Sequence, residues 1–130
     1  MIAVIFEVEV HAEHKAQYLD IAASLKPLLN DIDGFISIER FQSLTQPDKL
    51  LSLSFWRDEA AILQWRQLEA HRLAQQLGRS VIFKDYRLRI ATVERDYGLQ
   101  QRAEAPADSQ LFHQPTDCPS TAAEVPAIQP

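Results

Sequence analysis

Cysteine is almost missing: Cys118 is the only one in 130 residues. No disulfide can close within one chain and no cysteine-ligated zinc site can be built, so a reducing cytoplasm is the simplest compartment. Basic charge is also scarce, with Lys+Arg 13 against Asp+Glu 18 and a net charge of -5. A polyanion binder usually carries a positive excess, so neither nucleic acid nor an anionic membrane surface is expected as a partner. Long apolar runs are lacking too. The stretch from Ile2 to Phe6 is short, follows no basic segment and gives way to Glu7 and Glu9, which speaks against a signal peptide. Nothing approaches the ~18 residues that a membrane span requires. What is present, 46% hydrophobic residues, suits one soluble globular domain.

The composition changes after Gly98. Residues 99–130 hold five of the seven prolines and one aromatic, Phe112, among aperiodic Ala, Gln, Ser and Thr. Such a segment cannot bury enough apolar surface to offset the entropy of ordering it. The expected organisation is a folded domain over 1–98 with charge -2 and a disordered tail over 99–130 with charge -3.

Within the domain, Ile2, Val4, Phe6, Val8 and Val10 alternate with Ala3, Ile5, Glu7 and Glu9, the period of a strand. From about Glu13, the apolar residues Tyr18, Ile21, Ala22, Leu25, Leu28 and Leu29 recur at three and four, the stripe of an amphipathic helix. Pro27 should kink or restart that helix near Lys26, because proline lacks an amide proton and disfavours helical geometry in its predecessor; Gly34 closes it. Residues 35–44 and 49–56 read as strands joined by a turn through Pro47 and Asp48. Asp58 is a natural N-cap for a second helix with Ala61, Ile62, Trp65, Leu68, Leu73 and Leu77 on its stripe and Gly78 as its stop. Residues 83–94 alternate again, with Tyr86, Leu88 and Ile90 on one face and Arg87 and Arg89 on the other.

The order βαββαβ predicts an α+β, ferredoxin-like fold: one antiparallel sheet with both helices on a single face. The first two strands carry apolar residues on both faces, so the face away from the helices needs a second cover. Another copy of the same sheet would supply it, which predicts a homodimer.

Gly34-Phe35, Ser37-Ile38-Glu39-Arg40-Phe41, Ser54-Phe55-Trp56-Arg57-Asp58-Glu59-Ala60 and Trp65-Arg66 resemble the antibiotic biosynthesis monooxygenase (ABM) superfamily of dimeric α/β-barrel proteins. The likeness continues through His71, Gly78-Arg79, Tyr86 and Val93 to Gly98, and leaves out the tail. The superfamily includes cofactor-independent quinone-forming oxygenases, haem-degrading monooxygenases and members without established activity. The resemblance implies a small monooxygenase that brings an aromatic or quinol-type substrate together with molecular oxygen and needs no cofactor. Such chemistry asks for an apolar cavity, an aromatic wall and a few bases or donors. Trp65 would line the pocket and His71 would act as general base or proton shuttle. Arg79 and Tyr86 would position the substrate or stabilise an oxyanion, and Glu7 is a second candidate base.

Haem is the alternative cofactor, with His71 as axial ligand and Trp65 against the porphyrin. Haem-degrading members place an asparagine on the first strand, whereas the only asparagine here is Asn30, at the end of the first helix. A third possibility is a non-catalytic dimeric module that binds a metabolite or another protein. Each candidate also has an ordinary structural role. Trp65 and Tyr86 can be core, His71 a half-exposed surface residue, and Arg79 a cap on helix carbonyls. Glu7 and Glu9 can pair with Arg87, Arg89 or Arg40 on neighbouring strands. His11 and His14 lack a third ligand, so no metal is expected.

Overall fold

The computed structural model describes residues 1–112. The expected tail beyond them, with His113 and Cys118, lies outside the described residues. Compact packing separates Met1–Thr92 from the residues that follow, although the sequence break was expected after Gly98. Residues 93–112 form a small unit of their own. In it Arg102 donates to the carbonyls of Gly98 and Ser109, both at 3.0 Å, and its guanidinium lies 5.3 Å from the Tyr97 ring centroid. A short helix spans Ala107–Phe112, within the segment expected to lack structure.

Strand β1 (Ile2–Val10), a 3₁₀ turn (Ala12–His14), helix α1 (Lys15–Leu29), β2 (Phe35–Gln42) and β3 (Lys49–Trp56) follow the expected order. Next come α2 (Glu59–Gln67), α3 (Glu69–Leu77), a wide π-type turn (Gly78–Ile82) and β4 (Phe83–Thr92). The strands form one antiparallel sheet in the order β2-β3-β1-β4, open at both edges. This is the ferredoxin-like βαββαβ topology. Among the described residues, no helix is long and apolar enough to cross a membrane.

Two local expectations are corrected. Helix α1 runs unbroken through Pro27 and stops two residues later. The carbonyl that Pro27 cannot serve belongs to Ala23, and both residues are exposed, so water can take the missing bond. The second helix, expected as one rod, is two. Leu68 leaves helical geometry (φ -63°, ψ 129°) while its amide still reaches the carbonyl of Trp65, and its own carbonyl accepts from Arg72. One residue thus ends α2 and starts α3. The start of α2 is as expected: Asp58 accepts the amide of Ala61 at 3.0 Å. That bond, and next the one from Arg57, hold the Asp58 carboxyl below the usual aspartate range.

The register assigns the faces. Val4, Phe6, Ser52, Ser54 and Leu88 face the helices, and Ala3, Ile5, Leu51, Leu53 and Phe55 face away. On the helix side the core forms two clusters. One gathers Val8, Val10, Tyr18, Leu50 and Ile82; the other gathers Leu29, Ile32, Trp56, Ala61 and Ile62. Each large side chain buried there contributes about 1.5–3 kcal/mol relative to exposure. Trp56 anchors the second cluster, edge-on to Phe35 at 5.2 Å and donating its indole N–H to Ser54 Oγ at 2.9 Å.

Gly34 makes the turn from α1 into β2 at φ +96°, and its carbonyl accepts the amide of Arg57 at 2.7 Å. A Cβ there would stand 2.9 Å from the Cβ of Ala61. Gly34→Ala should therefore lower the urea midpoint by at least the roughly 1–2 kcal/mol that a left-handed non-glycine residue costs, with the m-value unchanged. A midpoint equal to wild type would refute this account of the turn.

Candidate functional site

Between the two core clusters the sheet carries Ser52 and Ser54, side by side on the helix-facing side of β3. These positions are buried but small, so the helices above do not meet the strand floor. The gap is a cavity of about 260 Å³. Phe6, Ile38 and Trp56 form part of its floor, Ile21 and Leu25 of α1 one wall, and Trp65, His71 and Arg79 another. On β4, Tyr86, Leu88 and Ile90 belong to the helix-facing side yet remain 45%, 47% and 44% exposed, so the cavity opens along this strand.

Four of the five residues expected at the site line this cavity: Trp65, His71, Arg79 and Tyr86. Trp65 and His71 do not share one helix. The break at Leu68 turns the chain so that the rings meet at 4.4 Å between centroids, tilted by 49°. Arg79 stands in the wide turn after α3. Tyr86 is not core. Its ring packs on Phe6 at 5.7 Å and on Phe83 at 6.0 Å, at the cavity's open side.

Glu7 is placed elsewhere. Phe6 points into the cavity, so strand alternation sends Glu7 to the opposite face, where its carboxylate meets Arg89 at 3.0 Å. That is the ion pair its ordinary reading anticipated. Arg40, named as another partner for that patch, is on the other side of the sheet. It pairs in register with Ser52, lines the cavity, and was overlooked as a site residue. Its signal in the sequence was an arginine in phase with Ile38 on a strand that packs against the core.

His71 is held neutral. Burial among apolar walls pushes its imidazole down to about 4, and its Nδ1 is enclosed without a hydrogen-bond partner. A solvated imidazole titrates near neutrality. Desolvation, which penalises the charged form, accounts for the difference. His11 and His14, with ring centroids 6.3 Å apart, sit away from this cavity, and His14 Nδ1 lies 3.1 Å from Gln17 Oε1. Among the described residues, no three His, Cys, Asp or Glu side chains gather as a metal site would require.

Residues 1–77 match the family model of antibiotic biosynthesis monooxygenases. A jasmonate monooxygenase ABM of Pyricularia oryzae is 47% identical over 93 residues, covering 72% of this chain and 43% of that protein. The chain thus spans less than half the length of that relative. An uncharacterized Bacillus subtilis protein, YqjZ, is 33% identical over 100 residues, covering 76% of this chain and 84% of its own. In structure, a conserved protein from Methanosarcina mazei Go1 superposes with a TM-score of 0.66 at 22% identity, covering 72% of this chain and 92% of that one. At that identity the likeness concerns the fold.

The depressed His71 value carries a sign for stability. In the folded chain the ring stays neutral down to about pH 4, whereas the unfolded ring takes a proton below its ordinary 6.5. The stabilising contribution is therefore complete above pH 6.5 and is lost as the pH falls towards 4. Discounted for partial solvent exposure, it is on the order of 1–2 kcal/mol. Urea titrations at pH 7 and pH 4.5 should show a smaller acid loss for His71→Gln than for wild type, and NMR should show the His71 ring unprotonated at pH 5.5.

Proposed function

Because the chain belongs to the antibiotic biosynthesis monooxygenase family, we propose that it is a monooxygenase that oxidises a small aromatic, quinol-type molecule with molecular oxygen and without a bound cofactor. The observation that carries this reading is the Trp65–His71 pair: an indole packed on a neutral imidazole in the wall of an otherwise largely apolar cavity. A flat aromatic ring is the natural guest of such a wall. The name of the fungal relative, a jasmonate monooxygenase, supports an oxygen-inserting role.

In this reading a phenol with a free para carbon binds against Trp65, and His71 accepts the hydrogen bond of its hydroxyl. An imidazole near 4 is a weak base by itself. Ionisation of the phenol places an anion beside the ring, which raises the histidine's proton affinity, and Arg79 stabilises the oxyanion. Tyr86 offers a further hydroxyl donor. The electron-rich ring carbon then takes up oxygen. One oxygen atom stays as the second quinone carbonyl, and the other leaves as water with the phenolic and ring hydrogens. Phenol plus O₂ thus gives quinone plus H₂O, and the four electrons lost by the ring are those gained by oxygen. Haem suits the cavity less well. About 260 Å³ is at the small end of ordinary ligand pockets and takes one or two rings rather than a tetrapyrrole.

The reading includes a homodimer. Ile5, Leu51, Leu53 and Phe55 form an apolar patch on the sheet face away from the helices, with Phe41, 44% exposed, beside it. Soluble monomers rarely leave such a contiguous face to water, and two sheets packed face to face would complete a barrel. Leu53→Asp should convert a dimer to monomers in analytical ultracentrifugation; a wild-type monomer would contradict the pairing.

For activity, oxygen uptake with a panel of mono- and polycyclic phenols that keep a free para carbon is the test. Wild type should consume one O₂ per quinone formed, and His71→Ala should lose about 10²–10⁴-fold in kcat/KM while keeping its fold. Full turnover in a folded His71→Ala would remove His71 from the mechanism. No uptake with any panel member would favour a non-catalytic ligand-binding module.

A further inference from the structure

The cavity contains three arginines and no carboxylate. Arg40 reaches it from β2, Arg66 from α2 and Arg79 from the wide turn. In a chain with net charge -5, this is a local concentration of one sign. Of the eight lysines and arginines elsewhere in Met1–Thr92, three pair with a carboxylate among the described residues: Arg57 with Asp33 at 3.1 Å and with Asp58 at 3.0 Å, Arg89 with Glu7 at 3.0 Å, Lys84 with Asp48 at 3.6 Å. Among the described residues, none of the three cavity guanidiniums has a carboxylate partner.

Arg40 is the most confined of them. Its Nε is sealed from water with no hydrogen-bond partner. It stands on a strand, directly across from Ser52, and both side chains face the cavity. Directly opposed residues on one sheet face have Cβ atoms about 4.5–5.5 Å apart, so a guanidinium and a hydroxyl share this part of the floor. An enclosed guanidinium nitrogen without an acceptor is costly, and a bound anion removes that cost by supplying one. The planar fork of arginine matches the two oxygens of a carboxylate better than the single oxygen of a phenolate.

We infer that the cavity selects ligands carrying a carboxylate on an apolar, ring-sized body, with Arg40 and Ser52 holding the carboxylate on the sheet floor. This deepens the proposed function and rests on that reading's choice of the cavity as the substrate site. It divides the cavity's work. The Arg40 end fixes one end of the molecule as an anion, and the Trp65–His71 wall meets the aromatic part where oxygen is to react. Arg40 is then a specificity-determining residue, distinct from the groups given the proton and the oxyanion.

The test is equilibrium binding, followed by tryptophan fluorescence because Trp56 and Trp65 both line the cavity. The full chain is titrated with 2-naphthoate and with uncharged 2-naphthamide, which share one ring system. Wild type should bind the naphthoate at least tenfold more tightly. Arg40→Met should abolish that preference while changing the amide's affinity less than threefold, and Arg40→Lys should restore part of it. Arg40→Met removes an enclosed nitrogen that has no hydrogen-bond partner, so the thermal midpoint should not fall. Equal affinity of wild type for the two probes overturns the inference, as does failure of both to bind at millimolar concentration. It is also overturned if Arg40→Met retains more of the preference than Arg66→Met or Arg79→Met. Because no turnover is measured, the two readings fail separately. A naphthoate preference without oxygen uptake leaves the anion site standing and removes the monooxygenase, whereas uptake without preference does the reverse.

Discussion

Ser52 and Ser54 take the two positions on β3 where a filled core of this kind would carry branched apolar side chains, and the site depends on that choice. Protein interiors pack densely, so a helix layer settles onto whatever its sheet presents. Here the sheet presents bulk at both ends, with Leu50 in one cluster and Trp56 in the other, and little between them. The helices rest on the two clusters and span the gap. The cavity is therefore a property of the packing scheme rather than a defect in it, and large apolar residues on both sides keep it from collapsing.

The same scheme explains the electrostatics. Walls made from Phe6, Ile38, Trp56 and Trp65 exclude water from part of the space. A titratable ring placed among them is forced neutral, and Arg40 beside them has one nitrogen enclosed and no carboxylate partner among the described residues. His71 and Arg40 each leave one nitrogen enclosed without a partner. Most buried polar groups in a folded chain find partners, so two exceptions lining one cavity point to groups kept for a guest. On the opposite face of the sheet, Glu7 and Arg89 meet each other because no cavity separates them.

The break at Leu68 adds the third ingredient. A continuous helix would have set Trp65 and His71 about 120° apart around its axis, pointing them in different directions. Interrupting the helix lets α3 start afresh and fold His71 back onto Trp65. The wide turn after α3 then carries Arg79 to the same wall before the chain enters β4. Irregular backbone is concentrated here, where the cavity wall is made, while β1, β3 and their pairing stay regular.

Strand alternation in β1, β3 and β4, the apolar stripe of α1, the Asp58 cap and the turn at Gly34 were all legible in the residues, because each depends on neighbours within a few positions. They suffice for the ferredoxin-like order of elements; Trp65, His71, Arg79 and Tyr86 were named by the family resemblance, and the break at Leu68 that joins the first two was not legible in the residues. Three matters were decided only in three dimensions. The inward face of Arg40 depends on the register of β2 against β3, which a bulge between Phe35 and Ser37 resets. The separation of Glu7 from the site depends on which face of β1 the helices cover. The neutrality of His71 depends on how much water its surroundings exclude. Local chemistry chose the elements, but register, coverage and desolvation are relations between elements distant in the chain, and packing alone determines them.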